Sequence, residues 1–102
     1  MPRSGGLKPH PSDYLAPEQT WPNGKLAHDA PPEARLAKAI AQRLNTHLTE
    51  HELSLRDAAQ PTGTSPATLH NILHGRTWSD MTTLARIEHG LSIQLWGTEH
   101  RH

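Results

Sequence analysis

The chain has 102 residues, the size of one small domain, and only 33 % of them are apolar, so any core is modest. Ten Lys and Arg oppose ten Asp and Glu, and this zero net charge does not by itself indicate a nucleic-acid partner. The absence of cysteine excludes disulfides and thiolate metal sites and favours a cytoplasmic protein. We expect no membrane segment and no signal peptide, because no apolar run is long enough for either.

The N-terminal region differs from the rest in composition, since residues 1–32 hold seven of the nine prolines and few apolar residues. This predicts a Pro-rich arm over 1–30, flexible up to about Pro17. Within it, the sequence PNG suits a type I turn, with Gly24 where a positive φ is tolerated, so a short hairpin over 20–26 is open. Such a hairpin would be marginal by itself.

From residue 31 to residue 96 the spacing of apolar residues becomes that of a helical domain, and residues 97–102 are expected to be a flexible tail. Every fourth residue from Leu36 to Leu48 is Leu or Ile, which predicts an amphipathic helix beginning at Pro32. Ser54 can cap a second helix, because an acidic residue stands three positions on, as in a capping box.

The second helix is expected to end at Pro61 and Gly63, the first a helix breaker and the second able to take the left-handed turn conformation. Ser65 and Pro66 suit the N-cap and first residue of a third helix, which Gly75 ends. The apolar face of that third helix consists of Leu69, Ile72 and Leu73.

A fourth helix begins after Ser79 or Asp80, either of which can cap it. Its apolar stripe is Met81, Leu84, Ile87 and Leu91. The final stretch SIQLW alternates from Ile93 and could form a short strand, paired with the segment around Trp21 or Leu26. The predicted fold is therefore mainly α: a bundle of four to five helices with a short hairpin or strand left open.

The second and third predicted helices are short and joined by a turn that contains glycine. A small residue at Ala59 lets the two helices cross closely, and Gly63 supplies the turn. Leu69 and Ile72 then pack the third helix back on the second, which leaves its other face for a ligand. A bare helix of this kind is slim enough to enter a DNA major groove.

The stretch that carries a family resemblance is LSLRDAAQPTGTSPATLHNILHGRTWSDMTTLARIEHGLSIQLW, residues 53–96. It resembles the Cro/repressor-type (lambda repressor-like) helix-turn-helix domain of bacterial and phage transcription regulators, above all the pattern of small actinobacterial regulators. The resemblance implies a compact bundle of about five helices, the second and third forming the helix-turn-helix. The chain departs from this in stopping near the fourth helix and a short tail.

The resemblance also implies that the helix over 65–74 lies in the major groove. The residues that it implies for base contacts are Ser65, Pro66, Ala67, His70, Asn71 and His74. Those that it implies for phosphate contacts are Arg56, Thr68, Arg76 and Thr77. Asn71 is the strongest candidate because its amide can pair with adenine through two hydrogen bonds, and His70 can donate to guanine.

Three residues depart from the family pattern. Leu55 stands where many relatives place a phosphate-contacting glutamine. Pro61 falls in the last turn of the second helix and is expected to shorten it. Thr64 replaces the usual apolar residue just before the recognition helix.

Other chemistry finds little support in the sequence. The pairs His47/His51 and His70/His74 have the spacing that places two imidazoles on one helical face, but no third metal ligand is indicated. There is neither a nucleophile elbow nor a glycine-rich phosphate loop. We therefore predict no enzyme activity, no metal and no cofactor.

The expected function is a cytoplasmic transcription regulator that binds specific duplex DNA, acting as a homodimer because one such domain contacts few base pairs. The arm or the SIQLW tail could supply the dimer contact. The alternative is a protein-interaction module with weak or secondary DNA binding, or an antitoxin that binds both an operator and a toxin. The zero net charge favours this alternative.

Overall fold

The computed structural model of the protein describes residues 7–96. After a 3₁₀ helix, Pro11–Tyr14, come four α-helices: α1 Pro32–Glu50, α2 Leu55–Thr62, α3 Pro66–Leu73 and α4 Met81–Leu91. The mainly α fold predicted from the sequence is confirmed as a small helical bundle. In the described part of the chain, none of the helices has the length and apolar character needed to cross a bilayer.

The core lies where α2 packs on both α3 and α4, while α1 packs on α3 and on the 3₁₀ helix. Its buried residues are Ile40, Leu44, Leu48, Ala58, Ala59, Leu69, Ile72, Leu84, Ile87 and Leu95. The predicted stripes of α1, α3 and α4 supply most of them. Met81 is the exception, with 69 % of its surface exposed, because it begins α4 one turn before the first buried residue of that helix, Leu84.

The predicted caps form as hydrogen bonds. The Ser54 hydroxyl accepts from the Asp57 N–H and the Asp57 carboxylate accepts from the Ser54 N–H, both at 3.0 Å. This capping box begins α2 as the sequence predicts. Of the two candidate caps for α4, Asp80 is the one used, since its Oδ1 accepts from the Thr83 N–H at 2.7 Å.

The capping carboxylates should make the stability depend on pH at the acid end. Hydrogen bonds from Ser54 hold the pKa of Asp57 below its ordinary 3.8, and those from Thr83 do the same to the pKa of Asp80. As the pH falls, the unfolded chain therefore takes up protons before the folded one. We expect this contribution to stability to be complete above about pH 5 and to be lost progressively below about pH 4.

The double variant Asp57→Asn, Asp80→Asn tests this. Its free energy of unfolding should fall less steeply with acid between about pH 5 and pH 2, as followed by urea titration at each pH. Asp29→Asn, an exposed carboxylate outside the helices, is the control and should retain the wild-type slope. The expectation would be contradicted if the free energy of unfolding of the double variant fell with acid as steeply as that of the wild type.

Pro61 does not shorten α2, and the expectation that it would is wrong. The helix runs on through Thr62, and Gly63, at φ +68°, ends it as predicted. Proline removes one N–H from the last turn. That turn gains side-chain bonds instead, because the Thr62 hydroxyl lies 2.9 Å from the Ala58 carbonyl oxygen and 3.1 Å from that of Ala59.

The arm is packed on the bundle from Leu7 onward, while the flexibility expected up to about Pro17 stays a prediction. Pro11 is fully buried, and the Ser12 N–H donates to the Gly75 carbonyl at 2.8 Å. Pro-rich composition gave no sign of this, because it does not reveal what a proline ring will pack against. The same prediction for residues 1–6, and that of a flexible tail over 97–102, lie outside the described residues.

The predicted hairpin over 20–26 does not form. Backbone bonds instead join residues 14–16 to residues 25–27, with a single antiparallel bridge between Leu15 and Leu26. Gly24 does not take a positive φ, contrary to the expected turn. Glycine suits this position for another reason, since a Cβ there would overlap the backbone of Thr20.

The SIQLW stretch, described up to Trp96, forms no strand and does not pair with the arm. The Glu88 Oε2 accepts from the N–H groups of Leu95 and Trp96 at 2.7 and 3.2 Å. The Leu95 carbonyl accepts from Arg43 Nη1 at 2.7 Å. The backbone groups that a strand would use are thus bonded to two side chains, and the predicted strand is wrong.

Candidate nucleic-acid interface

The turn between α2 and α3 is built from backbone geometry and two hydroxyls. Gly63 takes the left-handed conformation, and the Thr64 N–H donates to the Ala59 carbonyl at 3.3 Å. The hydroxyls of Thr62 and Thr64 lie 2.8 Å apart. The Thr64 hydroxyl therefore finds a polar partner inside the turn between α2 and α3.

The two sides of α3 differ sharply in burial. Leu69 is fully buried and Ile72 is 4 % exposed. The six residues predicted for base contacts lie outside that buried stripe and form what we call the α3 outer surface: Ser65, Pro66, Ala67, His70, Asn71 and His74. Ser65, Pro66, Ala67 and His74 are exposed, and the other two are partly exposed.

The start of α3 engages two of the predicted site residues in its cap. The Ser65 hydroxyl accepts from the Thr68 N–H at 3.0 Å and lies 2.9 Å from the Thr68 hydroxyl. One hydroxyl of this pair donates to the other, which leaves a single proton for an outside acceptor. Ser65 and Thr68 can therefore offer one donor between them, and Thr68 is half-buried.

The histidines of α3 lie side by side, with the ring centroids of His70 and His74 4.2 Å apart. Partial burial, followed by the nearby His70 and Arg76, lowers the pKa of His74 below 6.5. The pair His47/His51 on α1 has the same 4.2 Å separation. Burial, followed by His51, also lowers the pKa of His47.

Metal binding gains no third ligand from the structure. Within residues 7–96, no group of three or more His, Cys, Asp or Glu is placed to hold a metal ion.

The predicted phosphate-contacting residues fall in different surroundings. Arg56 is exposed in the first turn of α2, and Arg76 is exposed just after α3. Thr77 is half-buried and lines an apolar cleft of about 270 Å³ between the arm and α1. The two arginines are therefore the better placed of the four to meet an external anion.

The backbone at the end of α3 is held by a hydrogen bond within the chain turn and by packing of the arm. The Arg76 N–H donates to the Asn71 carbonyl at 2.8 Å, which fixes the last turn of the helix. Gly75 takes φ +67°, and a Cβ there would meet the Trp21 ring, so the arm packs directly on the glycine that ends α3. The indole N–H of Trp21 is buried without an acceptor in the described part of the chain.

Sequence reasoning missed two further basic residues, Lys8 and His10, which lie beside the loop between α3 and α4. His10 Nδ1 lies 2.8 Å from the Arg76 carbonyl oxygen, and Trp78 Nε1 donates to the Lys8 carbonyl at 2.9 Å. These pairs are 66 and 70 residues apart in the chain, so no local pattern could have indicated them.

The charge near α3 differs from that of the whole chain. Residues 65–79 include no Asp or Glu, whereas they include Arg76 and two histidines. The nearest carboxylates in sequence, those of Asp57 and Asp80, are engaged in helix caps. A neutral chain thus has a locally basic segment.

Comparisons with known proteins give no family assignment: a scan against protein-family models finds no match, and neither does a search of the curated proteins. The class that the structure itself defines is a small helical bundle with two short helices joined by a glycine turn.

Proposed function

We propose that this protein is a transcription regulator that binds specific duplex DNA, with α3 in the major groove. The observation that carries the proposal is the division of α3 into a fully packed stripe and an accessible α3 outer surface. An α-helix with its side chains is about 10–12 Å across, and the major groove is about 12 Å wide. Buried Leu69 and Ile72 hold the helix to the bundle while its other side is presented outward.

The chemistry of the α3 outer surface suits base edges. The amide of Asn71 can donate and accept at once, as adenine N6 and N7 require, and an imidazole of His70 can donate to guanine. Ala67 and Pro66 offer only apolar contact, for which a thymine methyl is the matching group. Arg56 and Arg76 would then meet phosphates on either side of the groove.

Local charge offsets the zero net charge of the chain. DNA phosphates attract the cationic side chains of a protein surface whether or not the rest of the protein is neutral. The segment 65–79 carries no carboxylate that would repel the phosphates. Partial burial, and after it the neighbouring His70 and Arg76, keep the pKa of His74 below 6.5 in the absence of DNA. A nearby phosphate would favour the protonated imidazole, so binding should take up protons and strengthen as the pH falls.

The first test is selection of binders from random duplex DNA, followed by titration of the selected sequence at several salt concentrations. We expect one sequence to be enriched and affinity to fall steeply with salt. Asn71→Ala should cost about 1–3 kcal/mol of binding free energy or relax preference at one base position. Gln94→Ala, an exposed amide in the tail, is the control and should bind like the wild type.

The proposal fails if no sequence is enriched and binding stays weak at low salt. An effect of Asn71→Ala that is equal on all sequences would assign this residue to phosphate rather than base contact. The zero net charge favours the second candidate, a protein-interaction module or antitoxin, in which the same face of α3 meets a protein.

We place the regulator in the cytoplasm and expect it to act as a homodimer on paired half-sites, because a single domain of this size contacts few base pairs. Analytical ultracentrifugation of the protein with the selected duplex would show a stoichiometry of two chains per duplex.

A further inference from the structure

We propose that the N-terminal arm extends the DNA-binding surface, with Lys8 and His10 contacting phosphates beside the end of α3. The inference rests on the proposed function of α3 and adds to it two residues from the far end of the sequence. We call Lys8, His10 and Arg76 the arm patch.

Docking of the arm creates the arm patch. His10 Nδ1 lies 2.8 Å from the Arg76 carbonyl oxygen, and Trp78 Nε1 donates to the Lys8 carbonyl at 2.9 Å. The side chains of Lys8, His10 and Arg76 are nevertheless exposed. The Lys8 carbonyl and one nitrogen of the His10 ring thus hold the arm to the α3–α4 loop, while both residues remain exposed to a ligand.

The His10 ring has a defined tautomer in this arrangement. A carbonyl oxygen can only accept, so Nδ1 must carry the proton that it donates to Arg76. This leaves Nε2 for a second partner. In the imidazolium form Nε2 also donates, and a phosphate oxygen is an acceptor that favours this form.

Lys8 is held at three points. Its N–H donates to the Tyr14 hydroxyl at 3.0 Å, its carbonyl accepts from Trp78, and its ammonium lies 5.1 Å from the centroid of the Tyr14 ring. The Tyr14 and Trp78 rings meet edge to face, 6.1 Å apart. The Lys8 ammonium is therefore kept near the α3–α4 loop, which lowers the entropy cost of ordering this side chain in a phosphate contact.

Nearby carboxylates do not cancel the arm patch. The Asp13 carboxylate accepts from the His10 N–H at 3.0 Å and serves the short 3₁₀ helix. Glu33 is exposed on α1 and lines the cleft beneath the arm. The cations Lys8 and Arg76 by themselves outweigh Asp13, the one carboxylate that this contact places at His10.

The position relative to α3 selects phosphates rather than bases as the ligand. Arg76 stands three residues after the end of α3 at Leu73, outside the helix that would occupy the groove. Groups bonded to the Arg76 carbonyl and to the Trp78 indole lie at the same end of α3. Phosphates border the major groove, so a helix seated in it brings the groups at its end toward one backbone.

The test uses the full chain and two substitutions that keep the arm docked. In His10→Asn, the side-chain amide can still donate toward Arg76 but the outer ring nitrogen is lost; Lys8→Met removes the charge and keeps the stem and both backbone bonds. We expect the double variant to bind the selected duplex about three- to tenfold more weakly at low salt, with a salt slope smaller by about one to two. The loss should be the same factor on random duplexes.

Lys25→Met is the matched control, an exposed lysine of the same segment whose backbone bonds to Gln19 and Ala16 rather than to the α3–α4 loop. It should keep the wild-type affinity and slope, and thermal melts should show all variants folded. An unchanged slope in the double variant, with sequence preference intact in the wild type, overturns the arm proposal and leaves the function of α3 standing. Loss at one base position alone overturns the phosphate assignment, and a wild type that binds no DNA overturns both proposals.

Discussion

Gly90→Ala is expected to destabilise the protein by about 1–2 kcal/mol, although alanine is the better helix former. A Cβ at this position of α4 would lie 2.5 Å from the Pro61 carbonyl oxygen and 2.7 Å from the Thr62 Cα. Both are backbone atoms of α2, which cannot swing aside as a flexible side chain would. Helix propensity favours alanine by about 1 kcal/mol, and overpacking costs about 1–3 kcal/mol or more, so packing decides the sign.

Urea unfolding measures the effect, with His89→Ala as the control. His89 is exposed on the same turn of α4, and its truncation should change the free energy of unfolding by no more than about 0.5 kcal/mol. If Gly90→Ala instead stabilised the protein by about 1 kcal/mol, helix propensity would have prevailed and α2 and α4 would not be in backbone contact.

The contact at Gly90 also bears on the candidate interface. Gly90 packs against the last turn of α2, immediately before Gly63. The α4 helix therefore supports the turn from which α3 begins. A shift of α2 away from a Gly90→Ala side chain would tilt α3. Loss of DNA affinity in this variant, measured well below its melting temperature, is therefore expected alongside the loss of stability.

The elements that the sequence predicts correctly are those set by nearby residues. Ser54 and Asp57 stand three residues apart and complete a capping box, and Ser65 and Asp80 cap through the N–H three residues on. Apolar spacing fixes which side of each helix is buried, because it follows the helical repeat. The α3 outer surface could be predicted as what remains when Leu69 and Ile72 are assigned to the core.

The features that sequence reasoning missed depend on residues far apart in the chain. From the sequence alone, Gly90 is a poor helix former within α4. Its role in close packing is visible only when its neighbours on α2, Pro61 and Thr62, are known. Lys8 and His10 sit in a stretch whose composition indicates flexibility, and only the bonds to the α3–α4 loop place them near α3. Apolar alternation in SIQLW predicted a strand because it cannot show that Glu88 would take the backbone N–H groups instead.

Leu95→Ala is expected to cost about 2–5 kcal/mol, the range for truncating a fully buried leucine. Leu95 has no exposed surface, although it stands one residue before the end of the SIQLW stretch. Its N–H and carbonyl are held at 2.7 Å by Glu88 and Arg43, so the tail cannot close over the cavity without giving up those bonds. The volume-conserving Leu95→Met should cost less than about 1.5 kcal/mol.

Urea titrations of both variants distinguish core from surface at this position. A Leu95→Ala cost below about 0.5 kcal/mol would mean that the tail is undocked in solution. Glu88→Gln keeps an oxygen that can accept from both N–H groups but loses the negative charge, and its effect should be non-additive with Leu95→Ala because both residues hold the same segment.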